Sequence, residues 1–251
     1  MTTSTTRVIV TGHSRGVGAA LAEQFLSQGI AVLGLGRTRN PALAERFADT
    51  LTETELDLAD TASLAQWIAT DALSRFVGGA ATVVLFNNAG IVQPVGPLEI
   101  QDAVAIASAV ALNVAAPLML ASAVTQAAVD ATDRRIVHIS SGAARNAMAG
   151  WSIYCATKAA LDHHARAVAL DANRALRICS LAPGVIDTGM QAEIRGSGID
   201  AFPMRERFEQ LKQNGQLATA EQTAANLIAY AMSDAFGDTP VADIREVVPA
   251  K

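Results

Sequence analysis

Short β-branched runs alternate along the chain with Ala- and Leu-rich segments of helical period. The runs "RVIVT" (7–11), "AVLGLGR" (31–37), "TELD" (54–57), "TVVLF" (82–86), "RIVHIS" (135–140) and "RICSLA" (177–182) read as buried parallel strands. Between them the pattern predicts helices near 17–28, 60–75, 99–128 and 152–173. This is a βαβ unit repeated. The expected fold class is therefore α/β: one domain over residues 1–251, a Rossmann-like doubly wound parallel sheet with helices on both faces. After Pro183 the rhythm breaks, and "GVIDTGMQAEIRGSGIDAFPMRERF" carries four glycines and a proline. Two further helices, about 203–214 and 219–233, then precede a short strand in "VADIRE". The irregular stretch, about 187–215, is expected to form a small lid over the carboxyl ends of the strands, where such sheets bind ligands.

Composition narrows this picture. Hydrophobic residues make up 51% of 251 residues but aromatics only 4%, so the interior must be built from Ala, Val, Leu and Ile, as thin βα layers are. The net charge is −5 with no basic cluster, which leaves no electrostatic footprint for nucleic acid or anionic lipid. A small-molecule partner is expected. The start, "MTTSTTR", is polar, and no apolar stretch approaches the ~20 residues of a membrane span, so a cytoplasmic protein is expected. Cys155 and Cys179 read as structural thiols rather than a redox pair. His13, His138, His163 and His164 show no metal-ligand spacing and read as packed or surface residues.

The loop "TGHSRGVG" (11–18) joins the first strand to the first helix. Its glycines, Gly12, Gly16 and Gly18, do not follow the G-x-G-x-x-G spacing, but the physics is shared: the backbone turns tightly and approaches a pyrophosphate at a helix N-terminus. A plain strand-to-helix turn is the alternative. At the end of the second strand, Arg37 stands where an NAD-binding chain puts an acidic residue on the ribose 2′-hydroxyl. Arg37, with Arg15 from the loop, suits a 2′-phosphate instead and points to NADP(H) over NAD(H). Asp57, ending the third strand, either accepts from the adenine amino group or belongs to a helix cap.

"NNAG" (87–90) follows the fourth strand, and further on a serine precedes "YCATK" (154–158). Together T-G-x-x-x-G-x-G, N-N-A-G, the serine and Y-x-x-x-K make residues 7 to about 190 resemble the short-chain dehydrogenase/reductase family. The resemblance implies that Ser14, Val17, Asn87, Ala89 and Gly90 line the cofactor cleft with the loop glycines. It also implies that "PGVIDT" (183–188) passes the nicotinamide carboxamide, with Pro183, Gly184, Val185, Ile186 and Thr188 as contacts.

The chemistry is expected at Tyr154 and Lys158, whose i, i+4 spacing puts phenol and ammonium on one helix face. A neighbouring cation should favour phenolate over phenol, and by family analogy Lys158 also holds the nicotinamide ribose. Tyr154 would give a proton to a carbonyl oxygen as hydride arrives, and take it back in the reverse direction. The family's thirteen-residue separation selects Ser141 over Ser140 as the hydroxyl that holds the substrate oxygen, leaving Ser140 as a strand end. Asn113 in "ALNVAAP" resembles the family's asparagine that positions a relay water; a helix kink before Pro117 is the plainer reading.

For the substrate, "PGVIDTGMQ", "RERFEQLKQNGQL" and "SDAF" resemble the sepiapterin reductase and benzil reductase branch, whose members reduce vicinal dicarbonyls. In pterin-reducing members a final-strand aspartate holds the pterin amino edge; Asp243 occupies the matching place, or is an ordinary aspartate. Trp151, Met148, Gln93, Met190, Phe202 and Met204 are candidate pocket walls or core residues. The expected activity is NADPH-dependent carbonyl reduction by a homodimer or homotetramer, assembled through the Ala-rich helices at 99–128 and 152–173. The alternatives are an alcohol dehydrogenase or 3-oxoacyl-type reductase of the same family, and a non-enzymatic NADP(H)-sensing module, which would be expected to lack the Tyr154–Lys158 pair.

Overall fold

A computed structural model describes residues 5–171, 173–196, 198 and 202–248. Seven parallel strands form one sheet in the order β3-β2-β1-β4-β5-β6-β7. They are β1 (Thr6–Thr11), β2 (Ala31–Gly36), β3 (Leu51–Glu55), β4 (Thr82–Asn87), β5 (Asp133–Ile139), β6 (Leu176–Ala182) and β7 (Val241–Asp243). The order reverses between β1 and β4, and the crevice opens there, at the carboxyl ends of the strands. Among the described residues eleven helices surround the sheet: α1 (Gly16–Ser27), α2 (Pro41–Arg46), α3 (Thr61–Ile68), α4 (Ala72–Val77), α5 (Ala103–Val110), α6 (Ala116–Ala127), α7 (Ser152–Val168), α8 (Gly189–Gly196), α9 (Arg205–Gln213), α10 (Ala220–Ala231) and α11 (Ile244–Val247).

Most boundaries fall where the hydrophobic pattern sets them, and the exceptions have local causes. The third strand starts three residues before the expected "TELD". It is an edge strand, held on one side by β2 in the register Val32 to Leu51 through Gly36 to Glu55, so it needs no continuous apolar run. The expected helix 60–75 is two helices: the Thr70 hydroxyl donates to Trp67 O at the end of α3, then accepts from the Ala72 N–H at the start of α4. The expected helix 99–128 opens with a 3-10 turn (Leu98–Ile100) and changes to a π turn over Ala111–Ala115 between α5 and α6. Pro117 lies four residues after Asn113, offers no N–H and crowds that carbonyl, which widens the turn. "VADIRE" divides into β7 and α11, with Asp243 capping the helix by accepting from the Arg245 N–H. Short helices α2 and α8 escape the pattern; α2 is fixed by its Asn40 cap and Pro41 in its first turn.

Two apolar layers cover the sheet. One packs Phe25 of α1 and Leu227 of α10 on Phe86 and Leu181; the other packs Leu64 of α3, Leu120 of α6 and Ala165 of α7 on Leu85 and Ile136. Contrary to the expectation of no long apolar stretch, the run Ala103–Ala127 is long and apolar enough to cross a membrane by length and composition, with mean hydropathy 2.1. Alanine dominates this run, so no dense cluster of bulky residues marks it in the sequence, and its Ala116, Leu120 and Val124 are spent on the sheet. A third, aromatic cluster lies at the carboxyl end: Trp151, Tyr154, Phe202 and Phe208. Residues 197 and 199–201, inside the expected lid at 187–215, lie outside the described residues; α8 and α9 occupy the rest of it.

Candidate active site

The carboxyl ends of the strands border a cleft of about 910 Å³. Its floor is built by β1 and β4. The Thr11 hydroxyl accepts from the backbone N–H groups of Asn88 and Ala89, each at 2.9 Å, and the Asn88 amide donates to Thr11 O at 2.9 Å. Gly12 follows with φ +70, a conformation that L side chains rarely adopt, and its N–H donates to Leu35 O at 2.7 Å. No side chain caps α1, so its first N–H groups remain available to an anion in the cleft. A Cβ at Gly16 would lie 3.7 Å from the Thr188 methyl, so Thr188 faces the glycine loop across the cleft that both line.

Gly18 differs from the other loop glycines. A Cβ there would stand 2.1 Å from Gly12 O, and Gly18 does not line the cleft. Its expected cofactor contact is corrected to a packing role: only glycine lets α1 approach the turn this closely. His13 is buried beneath Gly34, and its Nε2 meets Glu53 Oε1 at 2.7 Å. Ser14, Val17, Ala89 and Gly90 line the cleft, and a Cβ at Gly90 would press on Asn113 Oδ1 at 3.2 Å and Lys158 Nζ at 3.5 Å.

At the β2 end Arg15 and Arg37 are exposed along the cleft. Neither makes an ion pair with a described carboxylate, whereas nearby Arg39 pairs with Glu55 at 2.9 Å. Both line this end of the cleft with Ser14 and Thr38, the Thr38 hydroxyl donating to Ser14 Oγ at 3.1 Å. Asp57 lines the same end but lies beyond β3, not at its end, and its Oδ1 accepts from the Ala59 N–H at 2.9 Å. Asn87 is corrected as well. It is buried away from the cleft, donating to Pro117 O and meeting His138 Nδ1; Asn88 is the asparagine that lines the cleft.

The chemical centre lies where β5, α7 and the π turn meet. Tyr154, Lys158 and Ser141 share the cleft, the Lys158 ammonium lying 5.7 Å from the centre of the Tyr154 ring. The expected cation-stabilised phenolate is not what this geometry gives. Burial pushes the Tyr154 phenol up to about 12, against a smaller lowering by its hydrogen bond with Ser141. Lys158 is turned to Ile139 O, to which Nζ donates at 2.8 Å, and burial brings its ammonium down to about 8 while Asp162 opposes the fall. Asn113 lies behind this group: its Oδ1 accepts from the Ile91 N–H and its Nδ2 donates to Ile91 O and Thr157 Oγ1. It does not line the cleft, and it stands in the π turn ahead of Pro117, where the plainer reading put a kink.

Beyond Tyr154 the cleft widens between Met148, Trp151, Met190, Met204, Phe208 and Leu211. Phe202, expected in this wall, is fully buried behind it, stacked on Trp151 with ring centres 4.5 Å apart. Gln93 is exposed and outside the cleft. Asp243 reaches the cleft, but both its oxygens are taken by the Arg245 guanidinium, at 2.8 and 2.6 Å, which holds its carboxyl below the usual range. Pro183, Gly184, Val185 and Ile186 complete the rim. Phe208, Leu211 and Arg245 line the cleft without any signal in the sequence, and Asn88 lines it with one that was passed over, as the second asparagine of "NNAG".

This donor set fits a nicotinamide dinucleotide: uncapped N–H groups and glycines for the pyrophosphate, small residues where the rings would pass, and a phenol and an ammonium at the far end. The comparisons agree. Residues 6–197 match the family model for short chain dehydrogenase. The chain is 32% identical to a benzil reductase ((S)-benzoin forming) of Bacillus cereus, covering 95% of this chain and 99% of that one. It is 31% identical to a sepiapterin reductase of Meriones unguiculatus, over 91% and 92% of the two chains. A crystal structure of a short-chain dehydrogenase/reductase from Burkholderia vietnamiensis is 56% identical over 98% of this chain and 99% of that one, with a TM-score of 0.71. This chain belongs to the short-chain dehydrogenase family, oxidoreductases that act on CH–OH and C=O groups with a nicotinamide cofactor.

Proposed function

We propose that the protein is an NADPH-dependent carbonyl reductase acting on vicinal dicarbonyls, aromatic 1,2-diketones foremost. The observation that carries this reading is one cleft that holds Tyr154 with Ser141 and Lys158, Arg15 and Arg37 at one end and an apolar, aromatic chamber at the other. The bound nicotinamide would supply the hydride. Ser141 would hold the substrate oxygen by its hydroxyl, beside Tyr154. As negative charge develops on that oxygen, Tyr154 passes it the phenolic proton, and the Lys158 ammonium steadies the phenolate left behind. A phenol that keeps its proton until an alkoxide forms beside it suits reduction. Arg15 and Arg37 would pair with a ribose 2′-phosphate.

The relatives named for benzil and sepiapterin support a dicarbonyl substrate. Between the two, the paired Asp243 favours the diketone, since a pterin amino edge would have to displace or share Arg245. A reductase of simple ketones is the second reading, favoured by the apolar lining alone. We also propose a cytoplasmic homodimer or homotetramer, in which the exposed Leu98, Ile100 and Val104 beside α5 meet another copy. The test is NADPH oxidation by the purified protein with benzil, 1-phenyl-1,2-propanedione, sepiapterin and simple ketones, repeated with Asp243→Ala. Diketone turnover indifferent to that change supports the reading. Sepiapterin turnover lost in the variant would replace it with a pterin reductase, and turnover of simple ketones alone would replace it with the second reading.

A further inference from the structure

Behind the catalytic pair lies a buried carboxylate that the reaction as described does not use. Asp162 of α7 is 2% exposed. Its Oδ1 accepts from the hydroxyls of Ser140 and Ser180, both at 2.7 Å, and its Oδ2 accepts from Arg145 Nε at 3.2 Å. Ser140 precedes Ser141, Ser180 lies on β6 ahead of Pro183, and Arg145 belongs to the segment after Ser141 and donates onward to Ala242 O beside Asp243. One side chain thus ties β5, β6, β7 and the Ser141 segment to the catalytic helix. On that helix Asp162 follows Lys158 by four residues, which puts both buried groups on one face.

We propose that Asp162 is a positioning residue for the catalytic centre: its carboxylate fixes the Ser141 segment against α7 and is the counter-charge that keeps the buried Lys158 an ammonium. An unpaired ammonium in this setting would shed its proton, since burial penalises the charged form. The other charged or titratable groups around Lys158 are Tyr154 on α7 and His138 on β5, whose buried ring is pushed down to about 3 and is neutral in the working range. Around Asp162 they are Arg145 and the Cys179 thiol of β6, the latter pushed up to about 12 and neutral too; Asp243 lies beyond Arg145. Asp162 is the carboxylate four residues on along Lys158's own helix face, and it also pairs with Arg145 at 3.2 Å.

The inference rests on reading Tyr154 and Lys158 as the reacting pair, but its test does not need turnover. The chain has three lysines, Lys158, Lys212 and Lys251, so carbon NMR of the lysine side chains resolves the Lys158 titration once Lys158→Arg assigns its signal. In Asp162→Asn, which keeps the shape and removes the charge, the Lys158 midpoint is expected to fall by about one pH unit or more. Where a carbonyl is reduced, the alkaline limb of the kcat profile should move with it. An unmoved midpoint overturns the proposal, even if the variant is less stable. A wild-type protein that reduces no carbonyl would refute the proposed function while leaving the midpoint to decide this one. Should Asp162→Asn fail to fold, Ser140→Ala/Ser180→Ala decides: turnover at least about tenfold lower with unchanged NADPH affinity supports the positioning role, and unchanged turnover overturns it.

Discussion

Arg37→Asp tests the nucleotide end of the cleft most directly. Arg37 and Arg15 have no described carboxylate partner, so whatever the guanidiniums meet in the bound state is not offset by a lost ion pair. A charge-assisted hydrogen bond contributes about 1.5–3 kcal/mol, and exposure of Arg37 puts it near the lower end, about 1.5–2 kcal/mol. The introduced carboxylate adds repulsion of about 1 kcal/mol against a phosphate about 4 Å away in water. At about 1.4 kcal/mol per factor of ten, NADPH should bind about 60- to 140-fold more weakly. NADH has no 2′-phosphate and should change by less than about threefold on the same reasoning. Titration of both nucleotides by calorimetry at low and high salt measures this, and the NADPH penalty should shrink as salt screens the exposed site. Equal weakening of NADPH and NADH would refute the phosphate role.

Tyr154→Phe should leave the NADPH dissociation constant unchanged and cost turnover about 10²–10⁴-fold; retained turnover would mean another proton donor. Gly18→Ala places a methyl 2.1 Å from Gly12 O, so urea unfolding should show a loss of about 1–3 kcal/mol. His138 is pushed down to about 3 by burial, so the unfolded chain binds its proton first. Stability from this group is whole above about pH 6.5 and falls on acidification toward pH 3, by at most about 1.4 kcal/mol per unit; urea midpoints in His138→Gln should show a shallower acid slope. Val104→Lys, on the exposed apolar face, should lower the mass measured by light scattering, and an unchanged mass would place the contact between copies elsewhere.

The alternation of apolar runs and helical segments determined the layers and the position of the glycine loop, because a parallel strand covered on both faces must be apolar at successive positions. Spacing likewise put Tyr154 and Lys158 on one face, since the i, i+4 offset is a property of the helix alone, while Ser141 came from the family resemblance. Tertiary structure decided the rest. Asn87 and Asn88 are adjacent in sequence, yet strand alternation buries one against His138 and turns the other to the cleft. Phe202 read as a wall residue or core and Phe208 was not singled out, yet the fold buries Phe202 behind Trp151 and sets Phe208 in the cleft wall. At Tyr154 spacing announces a nearby cation, but burial, which no spacing encodes, raises the phenol. Asp162 stayed silent in the sequence for the same reason. Its donors come from residues 140, 145 and 180, and a carboxylate becomes a hub only when folding removes water and brings those distant groups to its oxygens.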